Sequence, residues 1–174
     1  MPRIPYQPLD LKEPKELVEA IRARRGGRLL NLDRVLLYSP PLARGWNTFL
    51  RAVRTELTLS PKLMEIAICT VAVVNGADYE FHHHAPELVK AGGTQEQAEA
   101  LRALDPDAEV FDATEAAVIR FTIESTGDVE VTRATFSAVR AALADDRKVV
   151  ELTGVVAAYN MVSRVLVALG VEPE

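Results

Sequence analysis

Residues 60–93 read SPKLMEIAICTVAVVNGADYEFHHHAPELVKAGG, and the punctuation of this stretch decides the fold. Ser60 followed by Pro61 marks a helix start, because the serine oxygen accepts an unpaired amide and proline is tolerated where no amide is needed. From Leu63 to Val74 the chain is apolar on nearly every side, and Glu65 is its one charge. That run is far shorter than the ~20 residues that span a bilayer, so it reads as a buried core helix. Asn75-Gly76 supplies a left-handed stop. Asp78 is expected to cap a second helix, which Gly92-Gly93 close. Helix, tight turn and helix form the centre of the chain.

The same punctuation recurs on both sides, while period-2 alternation never runs far. Upstream, Pro14 opens a helix with Leu17, Val18 and Ile21 on one side, ended by Gly26-Gly27. Asn31 is expected to cap a short helix carrying Val35 and Leu36. Ser39-Pro40 starts another, with Leu42, Trp46, Phe49, Leu50 and Val53 as one apolar stripe and Trp46 and Phe49 as core residues. Downstream, Thr94 and Gln97 form a capping-box pattern ahead of Ala98, Leu101 and Leu104. Asp112 begins a helix through Ala116, Ile119 and Ile123. Thr132 begins one through Phe136, Val139 and Leu143. A last helix is predicted from about Asp146 to Leu169, stopped by Gly170. The expected fold is all-α, a single-domain bundle of about eight to nine helices over residues 1–174, with 1–14 an extended arm.

Composition narrows the function. The chain has 174 residues, 25 acids and 20 bases, giving a net charge of -5 without a basic block. Nucleic acid is therefore not an expected partner. A single cysteine, Cys69, excludes an internal disulfide, a CxxC pair and a cysteine-built zinc site. The C-terminal apolar stretch is broken by Asn160 and Arg164, so no membrane span is expected. No basic start, apolar run and cleavage site suggests export, and a cytoplasmic location is expected.

The chemistry concentrates beside the tight turn. On a helix starting near Tyr79, Glu80 and His84 are i and i+4, and Glu80 and His83 are i and i+3, so each pair shares a face. His82 points the other way. A carboxylate favours the imidazolium while burial favours the neutral ring, a balance that places a histidine near neutrality. Pro86 cannot donate to the His82 carbonyl, which predicts either a freed carbonyl or a plain bend. Glu65 is either buried with a partner or solvated near its helix start. Cys69, one turn after Glu65, reads as an inert core thiol. Glu80 to His83 has Glu-x-x-His spacing, half of a di-iron motif, but no second unit exists. A mononuclear site from Glu65, Glu80 and His84 is conceivable, and no metal is expected.

Taken together, Leu59 to Glu65, the apolar helix, Asn75 to His84 and Gly92-Gly93 resemble the carboxymuconolactone decarboxylase and alkylhydroperoxidase D-like (AhpD-like) family. Tyr38-Ser-Pro-Pro-Leu-Ala-Arg-Gly-Trp46 and Ala158-Tyr-Asn-Met-Val-Ser-Arg164 extend the resemblance over roughly residues 15 to 170. It implies an all-helical, oligomeric fold with its site between the helix pair. In the family's peroxidase branch an acid twelve residues before a CxxC motif, and a histidine four after it, relay protons to the thiols. Glu65 and His84 match these two, while Ala77 and Glu80 stand at the cysteine positions.

The resemblance with this departure implies a lyase-like decarboxylase working without cofactor on a small carboxylated lactone or related cyclic metabolite. Glu65, Glu80 and His84 are the expected catalytic residues, with His84 the proton donor. Tyr79 and His83 are expected to bind substrate, and Arg51 or Arg54 to hold its carboxylate. A homo-oligomer is expected. The alternatives are a peroxidase-type oxidoreductase relying on Cys69 or an external thiol, and a non-catalytic ligand-binding oligomer.

Overall fold

The computed structural model describes residues 2–174, so Met1 of the predicted arm lies outside the described residues. Among these there are nine helices and no strand: α1 (Lys15–Arg24), α2 (Asn31–Leu36), α3 (Pro40–Thr55), α4 (Pro61–Val74), α5 (Asp78–Lys90), α6 (Gln95–Arg102), α7 (Ala113–Gly127), α8 (Arg133–Leu143) and α9 (Asp146–Leu169). The fold is all-α, as the spacing predicts.

The caps carry out the expected work. Ser60 Oγ accepts the Leu63 amide at 3.3 Å, and Thr94 and Gln97 satisfy each other's amides at 3.1 and 3.2 Å. Asp112 and Glu115 do the same at 2.8 and 3.1 Å. Two predicted caps move by one residue. Leu30 holds the cap position of α2, its amide accepted by the Asp33 carboxylate at 3.0 Å, while Asn31 is the first helical residue. Ala77 caps α5, and Asp78 sits in its first turn, where the helix dipole still favours its charge. Gly76, at φ +62°, makes the left-handed turn between α4 and α5. Gly93 has a different reason to be glycine, since a Cβ there would stand 2.7 Å from Leu88 Cδ1.

The chain divides into two compact units, Met1–Glu56 with Leu166–Glu174, and Leu57–Val165. In the first, α1 and α2 pack on α3, and the N-terminal arm is tied to the C-terminal segment. Arg3 donates its amide to the Leu169 carbonyl at 2.9 Å, and the Tyr6 hydroxyl accepts the Glu172 amide at 2.9 Å. The stripe predicted on α3 is corrected here. Ala43, Trp46, Leu50 and Val53 are buried, whereas Leu42 and Phe49 are about half exposed. The buried set recurs at spacings of 3, 4 and 3, a face turned one position away from Leu42 and Phe49.

In the second unit α4 packs on α5, α6 and α7, and α8 on α7. Ile66, Ala67, Ile68, Cys69 and Val71 are all fully buried, as befits a helix apolar all round. Two buried carboxylates tie the unit together. Glu115 pairs with Lys62 at 2.5 Å and accepts from Gln97 at 2.9 Å, joining the starts of α4, α6 and α7. Glu151 of α9 accepts the amides of Thr58 and Leu59 at 2.7 and 2.8 Å, fixing the approach to α4. On α8, Phe136 is exposed while Val139 and Leu143 are buried. By length and composition α9 is the one helix among the described residues sufficient to cross a membrane. Its buried residues Leu152, Val155, Val156 and Tyr159 are those of a core helix.

Candidate active site

The three-residue turn Asn75-Gly76-Ala77 folds α5 back along α4 and brings together two side chains that are 19 residues apart. His84 Nδ1 lies 2.7 Å from Glu65 Oε2. Glu65 is 4% exposed, which settles its two predicted readings in favour of the buried, paired one. A carboxylate only accepts, so Nδ1 carries the hydrogen and Nε2 is the ring nitrogen turned to other work. The His84 side chain keeps 16% of its surface exposed, enough for contact with a ligand. On its other flank the Tyr159 ring of α9 stands edge-on, with centroids 5.1 Å apart at 89°.

Glu80 lies one turn earlier on α5. Its spacing predicts a couple with His84, but the structure turns it to α9, where the Ser163 hydroxyl meets Glu80 Oε2. The same hydroxyl lies 2.8 Å from the Tyr159 carbonyl. Glu80 is 1% exposed, and its Oε1 is buried without a hydrogen-bond partner among the described residues. Burial pushes its carboxyl up to about 8, with the Ser163 hydrogen bond pulling the other way. Glu65 and Glu80 therefore differ in kind: one is paired with a histidine, and the other is a buried carboxyl pushed up to about 8.

The other predicted residues make contacts of their own. The rings of Tyr79 and His83 pack at 4.5 Å and 52°, and His82 approaches His83 edge-on at 5.3 Å. Tyr79 is buried and His82 exposed. Arg51 is ion-paired with Glu56 at 2.8 Å on the first unit's α3, and Arg54 lies on that same helix. Cys69 is fully buried, and α5 runs unbroken through Pro86. Among the described residues no group of three or more His, Cys, Asp and Glu side chains could hold a metal ion. The Glu65, Glu80 and His84 set thus lacks the arrangement of a metal site.

Ser163 is the residue that sequence reasoning missed. Its one signal is a hydroxyl in the middle of an apolar helix, one turn beyond Tyr159. Nearby, Asn160 accepts from Asn75 at 3.1 Å and donates to Thr126 at 3.1 Å, linking α9 to the end of α4 and to α7.

Residues 40–122 match the sequence profile of the Carboxymuconolactone decarboxylase family. No curated protein matches the chain. Among solved structures, an uncharacterized peroxidase-related protein from Ralstonia eutropha JMP134, described as an alkylhydroperoxidase AhpD core, superposes with a TM-score of 0.84 at 17% identity, covering 99% of this chain and 92% of that one. A peroxidase-related protein from Silicibacter sp. TM1040 gives 0.78 at 19% identity, over 99% and 89% of the two chains. The debrominase Bmp8 in complex with 2,3,4-tribromopyrrole gives 0.83 at 14% identity, over 98% and 92%. At these identities the likeness is one of fold.

Proposed function

We propose that this chain, whose residues 40–122 match the Carboxymuconolactone decarboxylase family profile on an AhpD-like helical fold, is an acid–base enzyme acting on a small carboxylated lactone or related cyclic metabolite. The observation that carries the reading is the 2.7 Å contact between Glu65 and His84. A buried carboxylate beside a half-buried imidazole stabilises the imidazolium, a proton donor suited to neutral pH.

The reaction asks little else of the protein. The bond between the ring carbon and the substrate carboxylate breaks and carbon dioxide leaves. Its electron pair passes into the conjugated lactone carbonyl. His84 then delivers the proton from Nε2 to carbon, Glu65 holds the ring in place throughout, and water reprotonates the imidazole. General acid catalysis of this kind contributes about 10²–10⁴-fold.

Peroxide reduction is the second reading, favoured by the retained Glu65 and His84 relay. It requires a thiolate that a peroxide can reach. Ala77 and Glu80 occupy the family's cysteine positions, and Cys69 has no exposed surface. Any peroxidase activity that survives Cys69→Ser removes that thiol from the mechanism.

The test is turnover of 4-carboxymuconolactone, followed by ring absorbance and released carbon dioxide, with His84→Ala run alongside. Decarboxylation lost in the variant supports the reading; a wild-type protein without turnover defeats it. Self-association belongs to the same proposal. Along α9, Val150 and Met161 are exposed apolar residues at 71% and 36%, with exposed Gly154 and Ala157 between them. These residues recur at spacings of 4, 3 and 4, an apolar stripe suited to a second copy of the chain.

A further inference from the structure

The Ser163 hydroxyl has one hydrogen and two acceptors within reach, Glu80 Oε2 and the Tyr159 carbonyl. It cannot give a full hydrogen bond to both. Both contacts are satisfied when Glu80 carries its proton on Oε2. The acid then donates to Ser163 Oγ, and Ser163 donates to Tyr159. The other oxygen, Oε1, is buried without a hydrogen-bond partner among the described residues. Leaving the carbonyl oxygen of a neutral acid in that state costs about 1–3 kcal/mol, and a carboxylate oxygen costs several times more. Burial of the unpartnered Oε1 favours the neutral acid, and the hydroxyl's contact with Tyr159 leaves its oxygen free to accept that proton.

We propose that Ser163 is a positioning residue of the site: burial keeps Glu80 a neutral carboxylic acid, and Ser163 fixes its proton on Oε2, leaving Oε1 a bare buried acceptor one helical turn from His84. Raised pH reverses the device. Once Glu80 ionises, Ser163 turns its hydrogen from the Tyr159 carbonyl to Glu80, and the site gains a buried negative charge. Titratable residues on the elements that meet α5 include Glu65 and Cys69 on α4, Arg102 on α6 and Tyr159 on α9, with His83 and His84 on α5 itself. A neutral Glu80 admits a carboxylate-bearing ligand beside His84, and an ionised one repels it. That last step rests on the acid–base reading; the protonation state of Glu80 does not.

Infrared spectroscopy of the full chain tests the assignment without any substrate. The wild-type protein at pH 7 is expected to show the carbonyl band of a neutral carboxylic acid, lost as pH rises through about 8 and absent at pH 7 in Glu80→Gln. Ser163→Ala removes the acceptor of the acid proton, so the band moves to higher frequency; Ser163→Thr keeps the hydroxyl and the wild-type position. A wild-type spectrum without the band at pH 7 overturns the assignment, and this result needs no variant to fold. A band that stays put in Ser163→Ala overturns the role of Ser163. A protein that shows the band but leaves the lactone untouched loses the decarboxylase reading alone, and turnover without the band has the opposite meaning.

Discussion

Glu65 on α4 and His84 on α5 meet at 2.7 Å across a three-residue turn, inside a helix pair whose apolar residues exclude water from the carboxylate. Low local dielectric strengthens such a contact and makes either partner costly to leave alone. His84→Ala is therefore expected to lower kcat for decarboxylation by about 10²–10⁴-fold. Glu65→Gln keeps the shape and removes the charge, so a smaller loss is expected, together with an imidazole that titrates at lower pH. Steady-state rates and the NMR titration of the His84 ring check both. An unchanged His84 titration in Glu65→Gln would show that the carboxylate does not set the ring's protonation.

Much of this was legible in the sequence, and the failures have physical causes. Proline, glycine, hydroxyl and Asn/Asp punctuation located the helices, with the starts of α2 and α5 one residue off, because caps and left-handed turns depend on local chemistry. The residues alone left Glu65 buried or solvated and set His84 beside Glu80; the family resemblance is what matched Glu65 with His84. Glu80 was misassigned because i, i+4 spacing allows a contact without choosing it. Ser163, on a helix more than 80 residues away, offered a better one. Phe49 was misread as core, and Leu42 of the same predicted stripe turns outward, for a related reason. Helical period fixes which residues share a side, and tertiary packing chooses which side turns inward.

The exposed stripe of Val150, Gly154, Ala157 and Met161 leads to a prediction about assembly. Close approach of two helices requires small residues flanked by larger apolar ones, and a charge at the centre of such a seam must be desolvated. Ala157→Glu is expected to shift the protein from oligomer to monomer in sedimentation velocity at micromolar concentration, with its helical circular dichroism retained. A wild-type protein that already sediments as a monomer removes the interface.

Glu151 is a structural counterpart to the site. Its carboxylate accepts the Thr58 amide, the Thr58 hydroxyl and the Leu59 amide, and Arg147 donates to its other oxygen at 2.9 Å. Glu151→Ala strands these donors, at a cost of about 2–4 kcal/mol in unfolding free energy. Denaturant melts should show a lower midpoint with an unchanged slope. Because the loop it pins leads into α4, any loss of turnover should follow the loss of folded protein.

Glu80 makes the fold itself sensitive to pH, in the opposite direction from an ordinary ion-paired acid. Its carboxyl rises from 4.5 to about 8 on folding, chiefly through burial, so the folded chain binds a proton that the unfolded chain releases. Stability from this group is complete below the unfolded value near 4.5. It falls as pH climbs from there and is lost by about 8. The total is on the order of 5 kcal/mol, since each pK unit carries about 1.4. Glu80→Gln is neutral throughout, and its amide can still donate to Ser163. The variant should match wild type near pH 5 and exceed it progressively toward pH 8 and above, where its melting temperature no longer declines on this account. Parallel pH-dependent melts of the two proteins, or the proton uptake measured on folding at pH 6–7, give the answer. Equal pH dependence in both would mean that Glu80 is ionised in the folded chain and that another group balances it.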